Sequence, residues 1–96
     1  MPVVPGQISL PTDFAVGPDG ALFVADADYS CVRQILPDGG MTTIAGVCSV
    51  TRVFEPDGDG GPAVEAHLND PLGLEVADGL LCIADSGNHV IRAVRL

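Results

Sequence analysis

Ala84-Asp85-Ser86-Gly87-Asn88-His89-Val90-Ile91-Arg92-Ala93-Val94 decides the fold, because the chain carries a second version of it. The earlier version reads Ala25-Asp26-Ala27-Asp28-Tyr29-Ser30-Cys31-Val32-Arg33-Gln34-Ile35. Ala25-Asp26 recurs as Ala84-Asp85, Arg33 as Arg92 and Ile35 as Val94, each pair 59 positions apart. Toward the N-terminus of each version the spacing becomes 60: Ile8 with Leu68, Pro11 with Pro71, Phe14 with Leu74, Val16 with Val76. The change falls in a turn, Gly17-Pro18-Asp19-Gly20 against Ala77-Asp78-Gly79, which is where a β repeat tolerates a deletion. Self-similarity of this kind marks one structural unit stacked on the next.

Within each unit, short apolar runs alternate with turn residues. Strands are predicted over 13–16, 21–25, 31–36 and 41–45, separated by Pro18-Asp19-Gly20, a turn over 26–30, and Pro37-Asp38-Gly39-Gly40. That is a four-stranded antiparallel meander, the unit of a propeller blade. The second unit predicts strands over 72–76, 80–84 and 90–94, then reaches Leu96 without a fourth. Met1-Pro2-Val3-Val4-Pro5-Gly6 aligns with Met41-Thr42-Thr43-Ile44-Ala45-Gly46 and is read as the missing strand, with Val3 and Val4 as its assembly residues. Its prolines suit an outer edge, where a ladder donor is not needed and further pairing is blocked. A frayed terminus is the plainer reading of the same segment. The expected units are an outer strand at 1–6, a first blade at 7–46, a connection at 47–67 and three strands of a second blade at 68–96.

Composition agrees with an all-β chain. Gly (12) and Pro (8) sit between Val-, Ile- and Leu-rich runs, and the aromatic residues are only Phe14, Phe23, Phe54 and Tyr29. A disordered chain would lack those apolar runs. The net charge of −9, with Arg33, Arg52, Arg92 and Arg95 as the whole basic complement, argues against nucleic acid and against anionic membranes as partners. No apolar run approaches the roughly 18 residues of a membrane span. Residues 1–9 lack the basic and apolar regions of a signal peptide. A soluble chain is expected, in a compartment the sequence leaves open. Cys31, Cys48 and Cys82 are odd in number and lack metal-ligand spacing. Cys31 aligns with Val90 and Cys82 with Phe23, so buried thiols acting as small apolar residues are expected, with a disulfide involving Cys48 as the alternative.

The run from Ala84 to Arg92 resembles the signature of NHL repeats, with Asn88-His89-Val90 standing for Asn-His-Leu. Gly58-Asp59-Gly60-Gly61-Pro62-Ala63, followed by Glu65-Ala66, Leu68 and Pro71, resembles the inter-blade connection of bacterial NHL proteins. The first blade departs from the signature, with Asp28-Tyr29-Ser30-Cys31 in place of Gly-Asn-His-Val. The resemblance implies blades around a central channel, often about six of them. Two blades alone would leave two apolar faces and a strand edge in water. The expectation is therefore a homo-oligomer: a trimer forming a six-bladed propeller, with a tetramer or dimer as alternatives. The N-terminal strand of one chain would complete the second blade of its neighbour, and head-to-tail contacts would close the ring.

On that frame a few residues have chemical potential. Asp26 and Asp85 end the second strand of each blade and are expected to accept N–H groups of the following turn, with Asn88 and His89 belonging to the signature turn. Arg33 and Arg92 read as surface or inter-blade ion pairs. Glu55, Asp57 and Asp59 alternate before Gly60 as in a calcium loop, but the bidentate Glu due at position 12 falls on Ala66, so a tight connection is the simpler reading. His67 and His89 lack companion ligands for zinc, and Ser30 and Ser86 lack a base. On the innermost strands Asp13 and Glu75 stand where small residues are expected, as candidates for an acidic channel. No cofactor and no catalytic constellation are expected. The chain reads as a self-assembling, non-catalytic scaffold or binding module for an unspecified small molecule or protein. The alternative is a fragment of a longer NHL propeller, such as a metal-dependent lyase or lactone hydrolase, activities known among six-bladed relatives.

Overall fold

The computed structural model describes residues 8–48 and 67–96. Among them run seven strands: β1 Pro11–Val16, β2 Leu22–Asp26, β3 Cys31–Ile35, β4 Met41–Ala45, β5 Pro71–Ala77, β6 Leu80–Asp85 and β7 Val90–Arg95. A 3-10 turn, Ser86–Asn88, precedes β7. β1 to β4 form one antiparallel meander, and β5 to β7 form a second, three-stranded one. The 1–6 segment with Val3 and Val4 lies outside the described residues, as does the stretch holding Glu55, Asp57 and Asp59. Among the described residues no helix is long and apolar enough to cross a membrane.

The two sheets repeat each other down to their irregularities. Each has a register shift at the start of its first strand, between Pro11 and Asp13 and between Pro71 and Gly73. Val16 pairs with Leu22 as Val76 pairs with Leu81, so the one-residue deletion is confined to the hairpin loop. In the second sheet that loop is the two-residue turn Asp78-Gly79, both at positive φ (53° and 74°), the geometry that matches strand twist in a tight hairpin. The first sheet closes a longer loop instead, in which the Gly17 N–H donates to the Ala21 carbonyl at 2.7 Å.

The sheets stack face to face. Strand alternation sends Phe23 and Val32 to the side of the first sheet that meets Leu81 and Ile83 of the second, and Ala45 and Leu68 complete this core. Phe23, Val32, Leu81 and Ile83 are essentially without solvent contact. Two polar contacts join the innermost strands across the stack: Thr12 Oγ1 donates to the Pro71 carbonyl at 2.8 Å, and the Leu74 N–H donates to Asp13 Oδ2 at 2.8 Å.

One expectation is corrected. Cys31 is not a free buried thiol but forms a disulfide with Cys48, and only Cys82 among the described residues is free. Antiparallel pairing sets Val32 opposite Ala45. Gly46, at φ 86°, then turns the chain back beside Cys31, whose Cα would sit 3.0 Å from a Cβ at that position. The two cysteine Cα atoms come within 5.1 Å, inside the range a disulfide spans.

Candidate functional site

Asp26 and Asp85 are both completely buried at the ends of β2 and β6, and both tie the approach to a blade onto its second strand. Asp26 accepts four backbone N–H groups: Ser9 and Leu10 ahead of β1, and Asp28 and Tyr29 in the turn that follows it. Asp85 accepts the Asn69 N–H at 2.7 Å, the counterpart of the Ser9 bond, but then differs. Its Oδ2 accepts from Asn88 Nδ2 at 2.9 Å and from Arg92 Nε at 2.8 Å, and no backbone N–H of the 3-10 turn reaches the side chain. Asn88 also donates to the His67 carbonyl, so it laces the strand end to the connection.

The divergent turn of the first blade explains the difference. Asp28 and Tyr29 offer main-chain donors that fill the Asp26 carboxylate, and Arg33, counterpart of Arg92, is left with its Nε buried and unpartnered among the described residues. In the second blade the Gly87 N–H goes to the Asn69 carbonyl instead, and Asn88 and Arg92 take the carboxylate. Arg92 is thus paired with Asp85 of its own blade, with a side chain only 12% exposed. His89 is exposed and left-handed (φ 60°), and its counterpart Ser30 adopts the same conformation (φ 54°). The position therefore demands a backbone shape, not an imidazole.

Asp13 and Glu75 border a common groove with Gly73, Cys82, Ala84 and Ile91. Their states differ. Both Asp13 oxygens are occupied, Oδ1 by its neighbouring Phe14 N–H and Oδ2 by the Leu74 N–H of the next sheet. Asp13 therefore clamps one blade to the next, while Glu75 is exposed on β5. Among the described residues no three His, Cys, Asp or Glu side chains gather closely enough to hold a metal ion. Sequence reading missed Asn69 as a partner of Asp85 and Asp13 as a clamp; the 60-position alignment of Asn69 with Ser9 was the available signal for the first.

The outer faces of the stack carry exposed apolar side chains. Phe14 (65% exposed) and Val16 (60%) stand on one, beside the half-buried Leu22 and the buried Val24 and Ile35; Ile91 (73%) stands on the other.

Two antiparallel meanders of one repeat, stacked face to face and pinned at matched strand ends, define a β-propeller module fragment. No protein-family model matches the chain. It is 35% identical over 94 residues to NHL repeat-containing protein 2 of Bos taurus, covering 94% of this chain and 12% of that protein. It is 37% identical over 94 residues to teneurin-4 of Homo sapiens, covering 88% of this chain and 3% of that one. A protein of unknown function from Bacteroides thetaiotaomicron VPI-5482, known from a crystal structure, superposes with a TM-score of 0.74 at 26% identity, over 90% of this chain and 21% of that one. The chain belongs to the NHL-repeat family. It spans only a small part of the length of these relatives.

Proposed function

We propose that this chain is a non-catalytic two-blade unit whose work is to build a propeller. Three copies give six blades, within the roughly four to eight that propellers use, and the ring presents a binding surface or channel to a small molecule or protein. One observation carries the reading: each blade buries one face on the other, while Phe14, Val16 and Ile91 on the opposite faces are exposed where their repeat counterparts Leu74, Val76 and Val32 lie in or against the core. β7 adds support, since it is the outer strand of its sheet among the described residues while β4 covers the corresponding edge of the first. The 1–6 segment, through Val3 and Val4, adds to that edge on the neighbouring copy.

Light scattering across a dilution series tests this. The expected mass is near three times the 9.8 kDa chain, and a folded monomer at micromolar concentration would refute self-assembly. Deleting residues 1–6 is expected to weaken the oligomer by at least tenfold in dissociation concentration; an unchanged dilution profile would remove strand exchange from the proposal.

A second reading is favoured by the length of the relatives, of which the chain covers 12% or less in the two proteins compared above by sequence. On it, the remaining blades come from the same polypeptide, as in a longer propeller that could carry metal-dependent lyase or lactone hydrolase chemistry. That chemistry needs several inward His, Asp or Glu side chains, so the blades described here would contribute walls and not ligands.

A further inference from the structure

We propose that the two outer faces fit each other, so that Phe14 of one copy seats in the groove over Gly73 of a second copy. This rests on the assembly reading above and names the contact that performs it. Inside the chain, the Leu74 main-chain N–H of the second blade donates to the Asp13 carboxylate of the first at 2.8 Å, and the Leu74 side chain packs against the core that holds Phe23. The repeat maps Leu74 onto Phe14 and Asp13 onto Gly73. A second copy stacked in the same way therefore brings the Phe14 main chain to Gly73 and its ring over Cys82, the counterpart of Phe23: a larger side chain against a smaller one. The groove at Gly73 measures about 330 Å3 and is floored by Cys82 and Ala84, where the first blade has Phe23 and Ala25. Bulk has moved from one side of the junction to the other, which suits the two outer faces to each other better than either suits itself.

The reciprocal contact obeys the same mapping. Val32, wholly buried, belongs to the core that Leu68, Leu81, Ile83 and Val94 build from the second blade. Their counterparts Ile8, Leu22, Val24 and Ile35 line a hollow of about 600 Å3 on the outer face of the first blade, Val24 and Ile35 being buried there already. The counterpart of Val32 is Ile91, the most exposed large apolar residue among the described ones, on the other outer face. Each face thus offers one projecting side chain and one hollow, in the register the chain already uses internally.

Hydrogen bonding agrees as well. Gly73 has no carboxylate to accept from the incoming Phe14 N–H, but that N–H is already bonded to Asp13 Oδ1 of its own chain at 2.8 Å. The Phe14 N–H is thus not left stranded at the junction between copies, which carries the exposed Glu75 carboxylate beside Gly73 where the internal junction is pinned by Asp13 and Thr12. Contacts of this heterologous, head-to-tail type propagate until they close.

Two variants spoil opposite faces. Gly73 has ordinary backbone geometry and a Cβ there would meet only the Ala84 Cβ at 3.5 Å, so Gly73→Trp fills the groove without disturbing its own chain. Phe14→Glu removes the projecting ring. Each variant alone is expected to give the monomer mass by light scattering with the far-UV circular dichroism of the parent. Mixed, or refolded together if either is unfolded alone, they are expected to form a 1:1 complex of twice the monomer mass, because each retains the face the other has lost. A Gly73→Trp chain that assembles like an oligomeric parent, or a mixture that yields no 1:1 complex, overturns this junction. A parent that is itself monomeric overturns the assembly reading, and this junction with it.

Discussion

Replacing Asp85 by Ala is expected to remove about 3–5 kcal/mol of folding stability, the range for breaking a buried charged network by deleting one partner. The carboxylate has no solvent exposure and holds three donors: the Asn69 N–H, Asn88 Nδ2 and Arg92 Nε. Alanine would leave the buried Asn69 N–H with no acceptor from this side chain, a cost of about 1–3 kcal/mol by itself. It would also strip Arg92 of its carboxylate in a site that water barely reaches. Asp85→Asn keeps an oxygen for the Asn69 N–H and loses the charge, so its loss should be about half as large. Urea unfolding followed by far-UV circular dichroism, at one fixed protein concentration because assembly is linked to folding, measures both. A loss below about 1 kcal/mol for Asp85→Ala would show that the network does not hold the blade together.

Removing the disulfide is the second large effect. The Cys31→Ala, Cys48→Ala double variant is expected to lose about 3 kcal/mol, the loop-closure value for a bridge spanning 17 positions. In a domain of this size that lowers the melting temperature by roughly 12–20 °C. The bridge fastens the chain as it leaves β4 to the first residue of β3, so without it the outer strand can fray from the edge of its sheet. The parent in reductant should melt with the double variant. A parent whose melting temperature is the same with and without reductant would mean that the bridge adds nothing to the folded state.

Much of the fold could be read before any coordinates because its rules are local. Asp78-Gly79 between Val76 and Leu80 dictates a tight hairpin through the φ each residue tolerates. Alternation along Leu81-Cys82-Ile83 states which side chains share a face, since neighbours on a strand point to opposite sides. The repeat then extends both statements from one sheet to the other. Strand limits fall within two residues of expectation for the same reason.

Pairwise partners were not legible in this way. A disulfide involving Cys48 stood only as the alternative, because nothing in its neighbourhood says that Gly46 brings it beside Cys31. Asp13 looked like a channel carboxylate because its Leu74 partner is 61 positions away, on another sheet. Asn69 and Asp85 are 16 positions apart and meet only when the approach to β5 lies along the end of β6.

The sequence by itself therefore determined the repeat, the strands, the turns and the side of each strand that is apolar. These follow from backbone preferences and a period of two, which act over a few residues. Only the tertiary structure decided which apolar side meets which, that the inner faces close on each other while Phe14 and Ile91 stay outside, and which donors fill each buried carboxylate. Those outcomes depend on register and stacking between segments far apart in the chain. Here a few tenths of a nanometre separate a clamp from a solvated side chain, and no local preference encodes that distance.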